Sequence, residues 1–200
     1  IYKVKSDENG IMLTDDLERQ MNMSHKKGEQ PFFVCARAGT TMLGAFDPIQ
    51  PITDIAGHHE AWIHVDGSFG GSLILSKKYR HLFKGIERTD SFAWNPHKLM
   101  NIPLICSVIL VREKDRLYKN LTQVDDDYLF HETQNAAYDL GRKSLQCGRR
   151  ADALKLWFAW KYYGDKGYED RINNLVDIAR YFESRIKSDN RFELTAPRQS

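Results

Sequence analysis

The sequence predicts an α/β domain built on a mostly parallel sheet. Residues 32–36 are continuously apolar, which is typical of a parallel strand covered on both faces. A helix opens at Asp47-Pro48, where proline suits the first turn, and continues to about residue 57. An apolar strand follows at residues 62–65. This β-α-β unit predicts parallel strands joined by a right-handed crossover.

The composition is that of one globular domain with a sizeable core: 200 residues, 42% hydrophobic and 12% aromatic. The 29 basic and 27 acidic residues leave a net charge of +2, and no basic block suggests a nucleic-acid surface. No apolar run approaches the roughly 20 residues that span a bilayer, and no leader sequence is recognisable. Cys35, Cys106 and Cys147 form no CxxC pair, so we expect reduced, mostly buried thiols in a cytoplasmic protein.

Further segments carry the patterns of helices and strands. Residues 104–111 are apolar and rich in β-branched side chains, which favours a central buried strand. Helices are expected at residues 15–23, 76–83, 148–163 and 168–187, with Gly164 ending the third. Short strands are expected at residues 1–4 and 192–194.

Two of the predicted strands end in residues that can do chemistry. Residues 62–65 are followed by Asp66 and then by small residues. Residues 91–94 are followed by an Asn-Pro turn, a histidine and Lys98. A lysine held in a pocket just past a buried strand is favoured in its neutral form, which attacks carbonyl groups. A lysine and an aspartate at the carboxyl ends of two strands of one sheet suggest bound pyridoxal phosphate: the lysine binds the aldehyde, and the aspartate keeps the pyridine nitrogen protonated.

The same two stretches resemble the HVDxxxGG and NPHK motifs of the pyridoxal-phosphate amino acid decarboxylases of the glutamate, cysteine sulfinate and aromatic amino acid group. Here they read His-Val-Asp at residues 64–66 with Gly-Gly at 70–71, and Asn-Pro-His-Lys at 95–98. The resemblance covers about residues 31–192 and favours the acidic amino acid branch. It implies a large domain of the aspartate aminotransferase type (fold type I). Residues 1–163 would be part of this cofactor-binding large domain, and residues 164–200 would start the small C-terminal domain of a longer protein.

The resemblance implies roles for four residues of these motifs. Lys98 would bind pyridoxal phosphate covalently; the alternative is an ordinary exposed lysine. Asp66 would pair with the protonated pyridine nitrogen, so that the ring takes up the electron pair released with carbon dioxide. Asn95 and His97 would lie near the cofactor's phosphate. Their alternatives are turn chemistry for Asn95 and a satisfied buried histidine for His97.

Two more cofactor-binding residues follow from the resemblance. Thr41, in the Gly-Thr-Thr stretch after the first strand, would lie on the cofactor's flank; an ordinary β-to-α turn is the alternative. Ser68 matches the small residue beneath the ring, where many relatives have alanine. Its hydroxyl should fit, and whether that hydroxyl makes an additional hydrogen bond is left open.

The resemblance also implies a catalytic role for Tyr128, which matches the family's mobile-loop tyrosine. Such a tyrosine can act as a general acid under a closed loop and return a proton to the α-carbon after decarboxylation. In relatives this loop reaches the neighbouring subunit's site, so we expect an obligatory homodimer. Two departures from the glutamate enzymes lie nearby: residues 131–137 form a shorter stretch, and residues 140–143 read Leu-Gly-Arg-Lys instead of Thr-Gly-Asp-Lys.

Residues 125–127 are three adjacent aspartates and raise the question of a metal site. Three adjacent acids on a regular element cannot all face one ion. A hydrated loop or a helix start is therefore the favoured interpretation, and no metal site is predicted.

The two motifs and the family resemblance that they carry imply α-decarboxylation of a small acidic amino acid to its amine and carbon dioxide. Cysteine sulfinate or aspartate is the preferred substrate, followed by glutamate; the Asp-Gly-Ser at residues 66–68 and the Cys-Gly-Arg-Arg at 147–150 favour cysteine sulfinate. The near alternative is an aromatic amino acid decarboxylase or an aldehyde-forming relative. The alternative of another class is a catalytically silent homologue that acts as a binding subunit. The expected partners are the amino acid and a second copy of the chain, without nucleic acid or membrane.

Overall fold

The computed structural model describes residues 1–121, 138, 141–146 and 148–199. Within these residues, four helices and four strands follow one another as α1 (Thr14–Lys26), β1 (Phe33–Arg37), α2 (Ile49–His58), β2 (Trp62–Gly67), β3 (Ser91–Trp94), β4 (Val108–Val111), α3 (Arg116–Leu121) and α4 (Asp152–Lys187). Short 3₁₀ helices lie at Gly70–Leu75, Arg80–Phe83, Ile86–Arg88 and Gly141–Lys143. In this part of the chain no helix is both long enough and apolar enough to cross a bilayer.

The four strands form one sheet in the order β1-β2-β3-β4. β1, β2 and β3 are parallel, whereas β4 runs antiparallel to β3. The prediction of an α/β fold with a mostly parallel sheet is therefore confirmed. In the register of the sheet, Asp66 of β2 lies opposite Arg37 of β1 and Ala93 of β3.

The prediction of a central buried strand at residues 104–111 is wrong. Only Val108–Val111 forms a strand, and it lies at the edge of the sheet that the structure describes. Ile109 and Leu110 remain 53% and 52% exposed. The residues before β4 instead form an irregular connection whose backbone contacts the loop after β3 through Cys106. An apolar run indicates that a segment tends to be buried, but it does not determine whether a strand lies at the centre or at the edge of its sheet.

One face of the sheet carries the main core. Val34, Ile63 and Phe92 point to this face, and α1 and α2 pack against it through side chains such as Leu17 and Ile52. The opposite face exposes the alternate side chains of β1, so burial along Phe33–Arg37 alternates. The expectation that residues 32–36 are covered on both faces is thus not met within the described chain, because Phe33 and Cys35 remain exposed.

The helical predictions are confirmed at α1, α2 and α4, and wrong at residues 76–83. There, only Arg80–Phe83 is helical, as a single 3₁₀ turn. The short strands expected at residues 1–4 and 192–194 are also absent from this part of the chain, where the nearest pairing is an isolated bridge between Ser6 and Met12. A short extended segment needs a neighbouring strand to bond, and local sequence does not supply one.

α4 is interrupted at Gly164, whose φ of 64° and ψ of 179° are accessible almost only to glycine. The predicted helix end at this residue is confirmed. After the interruption, Ile172 and Val176 join the same core as the sheet. The division into a large domain at residues 1–163 and a small domain from 164 stays a prediction.

The described thiols are Cys35 and Cys106, and both are free. Cys106 is buried, as expected, but Cys35 is exposed because it lies on the uncovered face of β1. The pKa of both thiols is raised because neighbouring protein atoms partly remove water from the sulfur, for Cys35 even though the residue as a whole is exposed, and this disfavours the thiolate form. Cys147 lies outside the described residues.

Replacing Tyr168 with phenylalanine is expected to leave the free energy of unfolding unchanged or to raise it by about 1 kcal/mol. Tyr168 is fully buried between the rings of Trp160 and Tyr163, and its hydroxyl has no hydrogen-bond partner among the described residues. Tyr168→Phe removes this unpaired group and keeps the ring. Urea unfolding of both proteins measures the difference. A loss above about 1 kcal/mol would mean that the hydroxyl does have a partner.

Candidate active site

The site is built where three parallel strands end at the same edge of the sheet. The loops after β1, β2 and β3 leave this edge side by side. Ligands of open α/β sheets bind outside the carboxyl ends of their strands. All described residues predicted for the site lie on these three segments: Thr41, Asp66, Ser68, Asn95, His97 and Lys98.

Glycines hold the loop after β1 against the loop after β2. The N–H of Gly70 donates to the carbonyl of Gly39 at 3.2 Å, and the N–H of Ala38 donates to the carbonyl of Asp66 at 2.9 Å. Gly39 has a φ of +79°, and a Cβ added to it would lie 2.4 Å from Gly70 Cα. The two backbones can approach this closely only without side chains. Thr41, two residues beyond Gly39, is therefore held near the segment that follows Asp66, and it is exposed.

Asp66 lies at the end of β2 on the exposed face of the sheet. Its Oδ1 accepts a hydrogen bond from the backbone N–H of Ser68 at 2.9 Å. Desolvation raises the pKa of Asp66, but the Ser68 hydroxyl and N–H and the electrostatic effects of His64 and Lys98 outweigh it, so that the pKa lies below its ordinary value. Asp66 is consequently an anion at neutral pH.

Lys98 is held by the turn that follows β3. Its N–H donates to the carbonyl of Asn95 at 3.0 Å, and its own carbonyl accepts from the N–H of Asn101 at 3.0 Å. Within the described residues its ammonium forms no hydrogen bond or ion pair, yet its charge reaches Asp66 and lowers the pKa of that carboxyl group. The fold thus brings Asp66 and Lys98, 32 residues apart in sequence, into electrostatic contact with the amine of Lys98 still available.

The two remaining residues of the second motif have different surroundings. The Nδ1 of His97 lies 2.7 Å from the carbonyl oxygen and 3.2 Å from the amide nitrogen of Cys106. Nε2 is then the ring atom that His97 can offer to a ligand. Asn95 uses its backbone carbonyl in the turn, and its half-buried side-chain amide is not hydrogen-bonded to any described residue. Asn95 thus takes part in the turn and His97 contacts Cys106, and each still has a polar side-chain group that can bind a ligand.

Tyr128 lies outside the described residues, so its predicted role stays a prediction. The same holds for the three aspartates at residues 125–127.

A hydrogen-bonded group next to Asp66 was missed by sequence reasoning. The hydroxyl of Ser91 accepts from Trp62 Nε1 at 2.8 Å and lies 2.8 Å from His64 Nδ1. Burial lowers the pKa of His64 although the charge of Asp66 opposes this. The alternation of a strand puts Trp62, His64 and Asp66 on one face, so a period of two residues was the available signal.

Known proteins resemble this chain along its whole length. A family model described as the pyridoxal-dependent decarboxylase conserved domain matches residues 1–200. Human cysteine sulfinic acid decarboxylase is 47% identical over 193 residues, which is 96% of this chain and 39% of that protein. The acidic amino acid decarboxylase GADL1 of Xenopus tropicalis is 45% identical over 196 residues, or 97% of this chain and 38% of that protein.

The fold agrees with the sequence. The crystal structure of mouse CSAD in apo form superposes with a TM-score of 0.90 at 44% identity, covering 98% of this chain and 40% of that one. The chain thus spans about two fifths of the length of the relatives it matches. The predicted fold class is confirmed by this likeness, and the family model matches every residue of the chain. The chain therefore belongs to the pyridoxal-dependent decarboxylase family.

Proposed function

We propose that the protein containing this chain decarboxylates a small acidic amino acid with the help of pyridoxal phosphate. The observation that carries the proposal is the meeting of Asp66, an anion at neutral pH, and the unpaired amine of Lys98 at one edge of the sheet. These are the two groups that this cofactor requires from a protein: a carboxylate for the pyridine nitrogen and an amine for the aldehyde.

The donor set suits the cofactor at its other positions as well. Nε2 of His97 and the amide of Asn95 are polar groups without partners in the described chain. The amide can donate to a phosphate, and Nε2 can do so when it carries a proton. Thr41 on the first loop and Ser68 on the second would flank the ring. These assignments rest on which groups the fold leaves available.

When bound, pyridoxal phosphate accepts the electron pair that is released as the substrate's carboxyl group leaves as carbon dioxide. Lys98 would bind the cofactor's aldehyde carbon until the amino group of the substrate replaces it. Asp66 would hold a proton on the pyridine nitrogen throughout, because a carboxylate with a lowered pKa stays charged. Tyr128 would then deliver a proton to the α-carbon from the loop that carries it.

Relatives support an acidic substrate. The proteins 47% and 45% identical to this chain are named for cysteine sulfinic acid and for acidic amino acids. Cysteine sulfinate or aspartate is our first choice, and glutamate our second. We also propose a homodimer in the cytoplasm, with residues 164–200 starting a smaller domain. The exposed Trp157 and Phe158 on α4 support a contact between subunits.

Borohydride reduction of the purified protein with its cofactor tests the site. Reduction fixes the cofactor on the lysine that binds it, and peptide mapping should locate the label on Lys98. Lys98→Ala should lose the label, whereas Lys84→Ala, which changes an exposed lysine before β3, should keep it. A label on any other lysine would end the proposal for this site.

A panel of amino acids tests the reaction and its substrate. Carbon dioxide release should be fastest with cysteine sulfinate or aspartate, slower with glutamate, and at background with tryptophan and tyrosine. Faster release from the aromatic amino acids would overturn the acidic assignment. Labelled Lys98 without carbon dioxide from any amino acid would favour the silent homologue.

A further inference from the structure

The irregular segment between β3 and β4 is bound by one charged side chain of α4. Nζ of Lys155 donates to the carbonyl oxygen of Ile105 at 2.7 Å. The same ammonium pairs with Asp152 Oδ1 at 2.6 Å, about one helical turn earlier. The side chain of Lys155 is 27% exposed, and these two contacts hold its charged end in place. Lys155 thus ties the start of α4 to the segment that follows Lys98.

The peptide group that Lys155 binds faces His97 on its other side. The carbonyl of Ile105 and the N–H of Cys106 belong to one planar trans peptide, so they point in opposite directions. Lys155 binds the oxygen, whereas the N–H of Cys106 donates to Nδ1 of His97 at 3.2 Å. The carbonyl oxygen of Cys106 lies 2.7 Å from the same ring nitrogen, so this backbone can hold Nδ1 with or without its proton. A single peptide group therefore connects the ammonium of Lys155 with the ring of His97.

The direction of this peptide depends on Lys155. Residues 101–107 form no helix or strand, so no regular hydrogen-bond pattern fixes their backbone. Within the described chain no backbone N–H donates to the carbonyl of Ile105, whose side chain is 64% exposed. The side chain of Cys106 is buried in a small apolar cluster and anchors the segment without fixing that carbonyl. Among the described residues, the ammonium of Lys155 is the donor that fixes it.

Other contacts keep α4 against this part of the fold. The ring of Trp160 meets the ring of Trp94, the last residue of β3, edge to face with 6.3 Å between centroids. Leu156 and Trp160 pack against the apolar cluster that contains Cys106. These contacts do not involve the charge of Lys155. Removing its ammonium alone should therefore leave the helix in place.

We propose that Lys155 is a positioning residue for the cofactor's phosphate, and that it acts through the Ile105–Cys106 peptide and the ring of His97. The inference rests on the proposed function, in which Nε2 of His97 contacts the phosphate. The ammonium itself is engaged by Ile105 and Asp152, so its effect reaches the phosphate through His97. A charged donor at one end of a peptide fixes and polarises it, which strengthens the hydrogen bond at the other end. Without the ammonium the peptide can turn, and Nε2 loses its fixed direction.

The test compares pyridoxal phosphate with pyridoxal, which lacks the phosphate, on the purified protein that contains this chain. Lys155→Met removes the ammonium and keeps a long unbranched side chain. It should raise the dissociation constant of pyridoxal phosphate roughly two- to tenfold, the worth of one hydrogen bond, and leave that of pyridoxal unchanged. His97→Ala should weaken pyridoxal phosphate at least as much, and adding Lys155→Met to it should cause no further change. The Lys155→Arg protein, which keeps a charged donor, should bind pyridoxal phosphate more tightly than the Lys155→Met protein.

Lys166→Met is the matched control, because Lys166 lies on the same helix and forms an exposed ion pair with Asp170 one turn away. It should change neither dissociation constant. Equal weakening of both ligands by Lys155→Met would mean that the ammonium supports the fold in general. A further loss in the His97→Ala background would mean that it reaches the phosphate without this ring. Either result, or unchanged binding, overturns the inference, while a borohydride label on Lys98 still upholds the proposed function.

Discussion

Asp66→Asn is expected to slow decarboxylation by roughly two to four orders of magnitude while the protein keeps its fold. The carboxylate would lose its charge but not its size, so the protonated pyridine nitrogen would lose an ionic partner. Removing one partner of a buried charge pair costs about 3–5 kcal/mol. If the whole loss appears in the transition state, it corresponds to this range of rates. Asp66 is exposed near the carboxyl end of β2, so folding does not depend on its charge.

The rate of carbon dioxide release and the dissociation constant of pyridoxal phosphate measure this effect. Asp54→Asn is a suitable control, because Asp54 of α2 forms an exposed ion pair with Arg88, which precedes the amino end of β3. Asp54→Asn should leave the rate of carbon dioxide release and the dissociation constant of pyridoxal phosphate within about twofold of the parent values, as expected for a surface ion pair. An Asp66→Asn protein within threefold of its parent would show that another group partners the pyridine nitrogen.

The predictable part of the site follows from local patterns at strand ends. Asp66 and Lys98 each follow an apolar run, and parallel strands bring their carboxyl ends to one edge. These two facts need no knowledge of distant contacts. The helices were predictable for the same reason: α1 was expected at residues 15–23 and lies at Thr14–Lys26. Turn residues and apolar spacing determine such elements within a few residues of chain.

The unpredictable part depends on contacts between segments far apart in sequence. The sequence shows that small residues follow Asp66. Three of them are glycines required inside the fold: Gly70 lies against the backbone of Gly39, and Gly67 and Gly71 lie against the ring of Phe92. The contact of His97 with Cys106 also joins two separate segments and was not predictable from local sequence. Sequence shows that small residues are needed at these positions, but not which neighbour requires them.

Asp47 is a second case in which local sequence did not reveal contacts with distant segments. In the sequence it looked like the start of α2, beside Pro48. In the structure its side chain is 1% exposed and accepts hydrogen bonds from the backbone N–H of Met12 at 2.7 Å and of Arg37 at 2.8 Å. The guanidinium of Arg37 binds the same carboxylate at 3.1 and 3.3 Å. One buried anion thus joins the N-terminal segment, the end of β1 and the start of α2.

Asp47→Ala is therefore expected to lower the free energy of unfolding by about 3–5 kcal/mol, because Arg37 and two backbone donors would lose their acceptor in the interior. Urea unfolding of the purified protein, followed by circular dichroism, measures the loss. Asp177→Ala is the matched control: Asp177 forms an exposed pair with Arg180 at 2.8 Å, and its removal should cost less than about 1 kcal/mol. Asp47→Asn, which keeps one acceptor oxygen, should fall between the two. A loss for Asp47→Ala no larger than that of the control would mean that water replaces the carboxylate, and that Arg37 does not need this partner to hold the end of β1 next to Asp66.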